Sequence, residues 1–337
     1  MEENNNVEPN NTTTNHDYTR QPVFWQLVVL MVLLIVIFSS AIVTEITEFA
    51  ERALPSNETQ NANTQAAAVI SSRPVEKAAL ENISVSAQAA YVLDMQTGQV
   101  LFAKNEERVL PLASVTKLMT ALLAHEILSE KTSIGVTYNA ILQDGDSGLM
   151  GGERFSRETL SDMVLMTSSN DGAYALAEAA GGELAGGVSA EAFIEAMNIR
   201  AEQLELGSLL FYNPTGLDIS ENQAGAFGSA EDVGKLMSHI VANYPEILAG
   251  TKETKTLFYN SKGNYHNAQN TNSTVNQIPG LIGSKTGYTT LAGGNLVIAF
   301  DVGLNHPIVI VVLGSSRDGR FTDVLKLTKA TQELFSE

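Results

Sequence analysis

Ser114 and Lys117 are the residues of this chain best spaced for nucleophilic catalysis. They lie in PLASVTKLMTALLA, where a short extended run precedes a strongly helix-forming sequence, and residues three positions apart share one helix face. The first turn of that helix offers the serine oxygen unpaired backbone N–H groups and the positive end of the helix dipole. A lysine takes a proton near neutral pH only where burial or a neighbouring cation lowers its pKa. The pair predicts acyl transfer through serine, although a capping serine followed by lysine is also common in ordinary helices.

Two further polar motifs follow this pair along the chain. Ser168-Ser169-Asn170 interrupts two apolar helical stretches and presents hydroxyl and amide groups at their junction, where a helix C-cap followed by an N-cap is the simpler interpretation. Lys285-Thr286-Gly287 lies in LIGSKTGYTTLAGGNLVIAF, which predicts an edge strand whose glycine allows close approach of a ligand, or an ordinary strand end. Each motif by itself leaves both interpretations open.

Apolar, strand-like runs precede the first motif and follow the third, and the strands they predict must position the motif residues. The runs AAYVLDM and QVLFAKN, separated by the turn residues Gln96-Thr97-Gly98, predict a hairpin. NLVIAFDVG and PIVIVVLGSS predict a second pair of strands, and FTDVLKLTKATQELF predicts a final helix because its apolar residues recur at helical spacing. The pattern therefore predicts one sheet that is closed by distant segments.

The middle of the chain has a helical pattern. Ser189 is the expected N-cap of a helix that ends at Gly207, and Ser229 is the expected N-cap of another. A helical block inserted between two β-rich halves predicts an α/β fold of the mixed α+β type. The cleft where the halves meet is the expected ligand site, since such seams commonly bind ligands.

The three motifs, taken in order, resemble a known signature set. Ser-x-x-Lys, then Ser-x-Asn, then Lys-Thr-Gly resembles the motif order of penicillin-binding proteins and serine β-lactamases. The chain most resembles the D-alanyl-D-alanine carboxypeptidase family of low-molecular-mass penicillin-binding proteins, over about residues 84–337, and VLDMQTGQVL and FYNPTGLD also look like that family. The resemblance implies an antiparallel sheet flanked by helices, with an inserted all-helical subdomain.

The resemblance implies catalytic roles for four residues. Ser114 is implied as the acyl-enzyme nucleophile and Lys117 as its base. Ser168 is implied as a proton relay to the leaving amine, and Asn170 is implied to orient both the substrate amide and Lys117.

The third motif is implied to bind the substrate. Lys285 and Thr286, followed by Gly287, are implied to hold its terminal carboxylate. The backbone N–H groups of Ser114 and Tyr288 are implied to form the oxyanion hole. The implied reaction removes terminal D-alanine from peptidoglycan stem peptides without metal or cofactor, and β-lactams are the implied covalent inhibitors.

Three other functions share parts of this motif set. A class A β-lactamase would carry a Glu-x-x-Leu-Asn run between Asn170 and Lys285, and the chain has none there. A D,D-endopeptidase that cuts peptidoglycan cross-links would use the same machinery, so the residues do not separate it from a carboxypeptidase. A catalytically degenerate penicillin-binding scaffold is disfavoured because the serines, lysines, asparagine and threonine of the motifs are all present.

The amino-terminal quarter of the chain predicts membrane attachment. Residues 1–20 are polar and predict a disordered cytoplasmic tail, residues 21–44 predict a transmembrane signal anchor, and residues 45–82 predict a flexible spacer before a catalytic domain at 83–337. Arg20 precedes the apolar span and acidic residues follow it, which favours an inside amino terminus and an extracytoplasmic catalytic domain in the cell membrane. Cleavage near Ser39-Ser40-Ala41, giving a secreted protein, is the alternative.

Composition narrows the possible partners and cofactors. The formal net charge of -18 argues against binding nucleic acid, whose phosphates require clustered lysine and arginine. The chain has no cysteine, which excludes disulfides and thiolate metal sites, and its five histidines are scattered without a His-Glu-x-x-His motif. These features favour cofactor-free acyl transfer over metal-dependent hydrolysis.

Overall fold

The computed structural model describes residues 80, 82–145 and 147–336. These residues belong to one unit of dense internal contacts that spans residues 74–337. The predicted tail at 1–20, the predicted anchor at 21–44 and the predicted spacer at 45–82, except Leu80 and Asn82, lie outside the described residues. Within the described part, no helix is both long and apolar enough to cross a membrane.

The described chain contains strands at both ends and a mainly helical middle. The strands are β1 (Ala89–Asp94), β2 (Val100–Lys104), β3 (Leu110–Pro111), β4 (Ser133–Gly135), β5 (Arg154–Ser156), β6 (Leu210–Phe211), β7 (Ala226–Gly228), β8 (Lys255–Tyr259), β9 (Tyr265–Gln269), β10 (Leu281–Thr289), β11 (Gly293–Asp301) and β12 (Pro307–Ser315). The α-helices are α1 (Lys117–Ile127), α2 (Arg157–Thr167), α3 (Asn170–Ala185), α4 (Ala190–Gln203), α5 (Ala230–Asn243) and α6 (Gly319–Leu334). Short 3-10 helices include Ala113–Thr116 and Pro245–Lys252.

One antiparallel sheet joins the two ends of the described chain. Its strand order is β10-β11-β12-β1-β2, so the carboxy-terminal strand β12 pairs with the amino-terminal strand β1. The predicted hairpin is confirmed as β1 and β2, joined through a turn in which Gly98 has a φ of 72°. β10, which carries Lys285-Thr286-Gly287, lies at the sheet edge as predicted.

Both faces of this sheet are buried, which explains its nearly continuous apolar strands. Val297 and Val311 face the large core shared with the helical block, whereas Ile298 and Ile310 face a second core. Helix α6 supplies Leu327 to that second core. Because successive strand residues point to opposite faces, the central positions of β11 and β12 must all be apolar when both faces are covered.

The segment between β2 and β10 is mainly helical but not entirely so. Helices α1 to α5 pack there, and β4 pairs with β5 while β8 pairs with β9. The resemblance implied that this inserted segment is all-helical, and that detail is wrong because the segment also contains these two strand pairs. Strands of three to five residues contain too few alternations to be detected in a sequence pattern.

Two predicted helix starts are confirmed, and one predicted end is wrong. Ser189 and Ser229 cap α4 and α5 through hydrogen bonds from backbone N–H groups three residues on. Helix α4, however, ends at Gln203 rather than at Gly207. Glu205 takes the left-handed conformation, with φ 57°, that usually selects glycine, and buried Leu206 then donates its N–H to Ala201 O at 2.9 Å.

Candidate active site

Ser114 lies in the 3-10 helix Ala113–Thr116, directly before α1. Asn295 of β11 is completely buried and donates from Nδ2 to the carbonyls of Pro111 and Leu112, both at 3.0 Å. Ala113 then takes a positive φ of 47°, which turns the chain sharply into the short helix. The serine is therefore presented at a helix start that is fixed to the central sheet from behind.

Lys117 is completely buried and its ammonium group has three acceptors. Nζ lies 2.9 Å from Ser114 Oγ, 2.7 Å from Asn170 Oδ1 and 2.7 Å from the Thr215 carbonyl. The amide and carbonyl oxygens can only accept, so a neutral lysine must direct its two hydrogens to them. Its lone pair then faces the Ser114 hydroxyl, which is the arrangement that a general base requires.

The pKa of Lys117 is held well below its ordinary value. Burial is the main cause, because an ammonium group loses its hydration in the protein interior, and the positive charge of Lys285 adds to the effect. Both causes favour the neutral amine. The structure thus provides the conditions under which a lysine can act as a base near neutral pH.

The carbonyl of Thr215 is positioned by a tight loop. Asn213 Oδ1 accepts hydrogen bonds from Thr215 N at 3.1 Å and from Gly216 N at 2.7 Å. Gly216 has a φ of 77°, and a Cβ there would lie 1.9 Å from the carbonyl oxygen of Ala113. Only glycine therefore allows this loop to pack against the start of the Ser114 helix and reach Lys117.

The second motif forms the junction between α2 and α3. Ser168 is the C-cap of α2 in the left-handed conformation, and Ser169 is the N-cap of α3, accepting from Gly172 N. Both the predicted helix break and the presentation of Ser168 and Asn170 at it are thus present. Asn170 donates from Nδ2 to the Asp144 carbonyl at 2.6 Å, which leaves Oδ1 directed at Lys117.

The third motif brings a second buried lysine to a serine. Lys285 Nζ lies 2.9 Å from Ser168 Oγ and 2.9 Å from the Thr286 carbonyl, and its side chain is almost fully buried. Burial, with a smaller contribution from the positive charge of Arg320, lowers the pKa of Lys285 to about 7. Ser114 and Ser168 therefore each contact the amine of a buried lysine.

Gly287 allows the edge strand β10 to pass close to the nucleophile. A Cβ on Gly287 would lie 2.8 Å from the Leu112 carbonyl oxygen and 3.2 Å from Ser114 N. This close approach brings the following residue, Tyr288, next to the start of the Ser114 helix. The Tyr288 ring remains 46% exposed and lies beneath the guanidinium of Arg317.

Several residues of the site carry no recognisable sequence signal. Arg320 is buried and donates from Nη1 to the Gly287 carbonyl at 2.6 Å. Thr271 Oγ1 lies 2.6 Å from Thr286 Oγ1. Thr215 acts through its backbone carbonyl, which no residue type reveals, although the segment around it belongs to FYNPTGLD, one of the family-like runs.

The described histidines lie outside this cluster of motif residues, and they do not form a metal site with one another. His266 Nε2 lies 2.9 Å from Glu153 Oε1, and His306 Nε2 lies 2.8 Å from Asp94 Oδ1. Residues 80, 82–145 and 147–336 contain no group of three or more His, Cys, Asp or Glu that could hold a metal ion.

All six side chains of the three motifs meet in one cleft. A hydroxyl next to a buried amine can be deprotonated, a second hydroxyl next to a second amine can move a proton, and the Thr286 hydroxyl can hold an anionic group. The members of this cluster are Ser114, Lys117, Ser168, Asn170, Lys285 and Thr286. The arrangement can perform acyl transfer through a serine ester.

Comparison with known proteins identifies relatives of this chain. A family model described as D-alanyl-D-alanine carboxypeptidase matches residues 75–317. A D-alanyl-D-alanine endopeptidase of Pseudomonas aeruginosa is 30% identical, over 78% of this chain and 82% of the relative. The D-alanyl-D-alanine carboxypeptidase DacF of Bacillus subtilis is 30% identical, over 72% of this chain and 61% of the relative.

The fold is also similar to solved structures. The crystal structure of penicillin-binding protein D2 from Listeria monocytogenes in its ampicillin-bound form is 28% identical, with a TM-score of 0.61. The similarity covers 74% of this chain and 98% of that chain.

Proposed function

This chain belongs to the D-alanyl-D-alanine carboxypeptidase family, and from that membership we propose that it removes the terminal D-alanine from peptidoglycan stem peptides through an acyl-Ser114 intermediate. The single observation that most supports this proposal is the contact between Ser114 Oγ and Nζ of the buried Lys117 at 2.9 Å. It joins a nucleophile to an amine whose pKa is lowered by burial.

Acylation uses the first two motifs. Neutral Lys117 takes the proton of the Ser114 hydroxyl while Oγ attacks the carbonyl carbon of the scissile amide. The backbone N–H groups of Ser114 and Tyr288 hold the developing oxyanion. The proton held by Lys117 then passes through the Ser168 hydroxyl, which lies 2.9 Å from Lys285 Nζ, to the amide nitrogen. The C–N bond breaks, D-alanine leaves, and Lys117 is again a neutral amine.

Deacylation reverses these roles with water as the nucleophile. Water loses a proton to the Lys117 amine, attacks the ester carbon, and releases the shortened peptide while Ser114 regains its proton. Asn170 keeps Lys117 in place throughout, because its Oδ1 lies 2.7 Å from Nζ.

The terminal carboxylate of the substrate binds at the third motif. Lys285 supplies positive charge and Thr286 supplies a hydroxyl donor, and the two residues are adjacent on β10. Gly287 lets the substrate lie along this edge strand. β-Lactams acylate the same serine, a proposal supported by the ampicillin-bound Listeria relative.

Cross-link cleavage is the second candidate function. The Pseudomonas relative is named an endopeptidase, and its chain is covered to 82%. The chemistry at Ser114 is identical for a stem peptide that ends in D-alanine and for a cross-linked peptide. The residues on the leaving-group side of the cleft therefore determine which of the two substrates is bound.

The chain is further proposed to be anchored in the cell membrane. The support is the uncharged run from Val23 to Val43, long enough for a hydrocarbon core of roughly 30 Å, with Arg20 before it. The catalytic domain would then lie outside the cytoplasm. Protease treatment of intact cells should remove the domain, and the mass of the mature chain should include residues 1–44 unless a signal peptidase has cleaved them.

Labelling of the purified full-length chain with a fluorescent penicillin tests the catalytic proposal. The wild type should form a covalent adduct that survives denaturation and should release D-alanine from a pentapeptide ending in D-Ala-D-Ala. Ser114→Ala should do neither while keeping the wild-type circular dichroism spectrum. Equal labelling of Ser114→Ala, or an unlabelled wild type, would contradict the proposed mechanism.

A further inference from the structure

The β8–β9 hairpin is fixed directly beside the catalytic cleft. Asn270, which follows β9, donates from its backbone to the Thr254 carbonyl at 2.9 Å and from Nδ2 to the Thr251 carbonyl at 2.8 Å. Thr251 Oγ1 in turn accepts from Ser284 N of β10 at 3.1 Å. The base of the hairpin is therefore held against the strand that carries the third motif.

The next residue, Thr271, enters the cleft itself. Its backbone N–H donates to the Met166 carbonyl at 3.0 Å, two residues before Ser168, and its Oγ1 lies 2.6 Å from Thr286 Oγ1. Thr271 thus connects the end of α2, just before Ser168, to Thr286. In the proposed reaction these two residues serve the leaving amine and its carboxylate, so the hairpin adjoins the leaving-group half of the cleft.

A polar surface groove lies at the base of the hairpin. Four residues, Thr254, Lys255, Asn267 and Gln269, line a volume of about 280 Å³. All four side chains are exposed, and Lys255 lies directly opposite Gln269 across the strand pair. We refer to these four residues as the hairpin groove.

The hairpin groove offers a free positive charge and free amide groups. In the part of the chain that the structure describes, Lys255 makes no ion pair, and the side chains of Asn267 and Gln269 make no hydrogen bond. A cation and two amides together suit a peptide that carries carboxylate groups.

The groove is close enough to receive a long leaving group. Gln269 precedes Thr271 by two residues, which can span at most about 7 Å. A single D-alanine, whose carboxylate is held at Thr286, is too short to reach it. A leaving amine that belongs to a second peptide would extend in this direction.

We propose that the hairpin groove is the subsite that binds the second, anionic stem peptide of a D,D-cross-linked substrate. This inference rests on the proposed acyl-Ser114 chemistry. The bond that breaks joins the D-alanine carbonyl carbon to the amine nitrogen of the second peptide. Ser114 takes the acyl group, the amine takes a proton through Ser168, and water then releases the first peptide. The α-carboxylate next to the leaving amine occupies the place at Thr286 that D-alanine would use.

Charge reversal in the groove tests this subsite. Full-length wild type and Lys255→Glu are compared for cleavage of a D,D-cross-linked peptide dimer, for D-alanine release from a monomeric pentapeptide, and for the rate of penicillin acylation. Lys255→Glu should lower kcat/KM for the dimer about tenfold, by loss of one attractive charge contact and gain of a repulsive one. The two activities that do not use the groove should stay within about twofold of the wild type.

Lys262→Glu is the matched control. Lys262 is exposed in the turn between β8 and β9, so this variant changes the net charge equally without altering the groove. It should cut the dimer at the wild-type rate. The double variant Asn267→Ala/Gln269→Ala retains Lys255 and should lower only dimer cleavage, which provides a second measurement if Lys255→Glu fails to fold.

The outcomes separate this inference from the proposed function. A wild type that labels with penicillin and releases D-alanine but does not cut the dimer would overturn the subsite alone. The subsite would also be overturned, and the proposed function would stand, if Lys255→Glu and Lys262→Glu cut the dimer equally well. A wild type that neither labels nor releases D-alanine would overturn the proposed function and this inference with it.

Discussion

Complete burial lowers the pKa of the Lys117 ammonium group well below its ordinary value, and the positive charge of Lys285 lowers it further. Neither amine is hydrogen-bonded to a carboxylate among the described residues. Their partners are hydroxyl, amide and carbonyl oxygens. Two buried amines without a counter-ion are costly to keep charged, and this cost favours the neutral form that the proposed base, Lys117, requires.

Substitution of Lys117 should separate its role as a base from its positive charge. Lys117→Arg keeps hydrogen-bond donors and charge but removes the titratable amine, since arginine stays protonated. We expect the penicillin acylation rate to fall by about 10³-fold or more, as for Lys117→Met. Urea unfolding checks that both variants fold. Near-wild-type acylation by the arginine variant would show that only the charge matters.

The pH dependence of D-alanine release should reflect both lysines. kcat/KM should rise with pH through the lowered pKa of Lys117, because the neutral amine is the base. It should fall again above pH about 7, because Lys285, with a pKa of about 7, loses the charge that binds the carboxylate. A substrate amidated at its carboxy terminus should lack the alkaline fall.

Arg320 is expected to position the oxyanion hole. It donates to the Gly287 carbonyl at 2.6 Å, and in a trans peptide the following N–H, that of Tyr288, points the opposite way. Arg320→Leu should therefore lower kcat for acylation about 10- to 100-fold with a smaller change in KM. It should also raise the pKa of Lys285 and move the alkaline limb to higher pH. Arg320→Lys keeps a positive charge, so it should cause a smaller fall in kcat and a smaller pH shift than Arg320→Leu. If Arg320 had only a structural role, the alkaline fall in activity would stay at the same pH.

Gly216→Ala should destabilise the fold around the nucleophile. The new Cβ would lie 1.9 Å from the Ala113 carbonyl oxygen, in addition to the strain of a φ of 77°. We expect a loss of about 3 kcal/mol or more in the free energy of unfolding, measured with urea. Gly186→Ala is the matched control, because its φ is 73° and nothing lies within 4 Å of its Cβ. It should lose only about 1 kcal/mol.

Asp162 should destabilise the protein above pH 6. Burial raises its pKa from 3.8 to about 6, although the backbone of Gly250 donates a hydrogen bond to it. The folded state therefore binds more protons than the unfolded state between these values, so stability falls as pH rises through that window. Asp162→Asn should raise the free energy of unfolding by about 2 kcal/mol at pH 8 and leave it unchanged at pH 4.

Glu195→Gln is the control for the Asp162 prediction. Glu195 lies on another helix, α4, is exposed, and does not contribute to the pKa shift of Asp162. Its removal should change the free energy of unfolding by no more than about 0.5 kcal/mol at either pH. Equal stabilisation by both variants would indicate a general charge effect rather than a buried carboxylate.

The local features of this fold were readable from the sequence, because they depend on neighbours in the chain. Serine caps at 189 and 229 start helices α4 and α5, and the break at Ser168-Ser169-Asn170 separates α2 from α3. The apolar runs around Gly98 form a hairpin through a turn that glycine permits. The order of the three motifs identified the family and all six of the side chains that meet in the cleft. The membrane anchor stays a prediction.

The contacts that make the site chemically competent were decided only by tertiary structure. Lys117 meets a carbonyl 98 residues away, and Lys285 meets a hydroxyl 117 residues away. The burial that lowers both pKa values, and the contact of Arg320 with Gly287, arise where segments far apart in the chain pack together. Residue spacing determines which side chains share a helix face, whereas desolvation depends on what covers that face. The sequence thus predicted Ser114 as the nucleophile and Lys117 as its base, and tertiary packing provides the burial that lowers the pKa of Lys117.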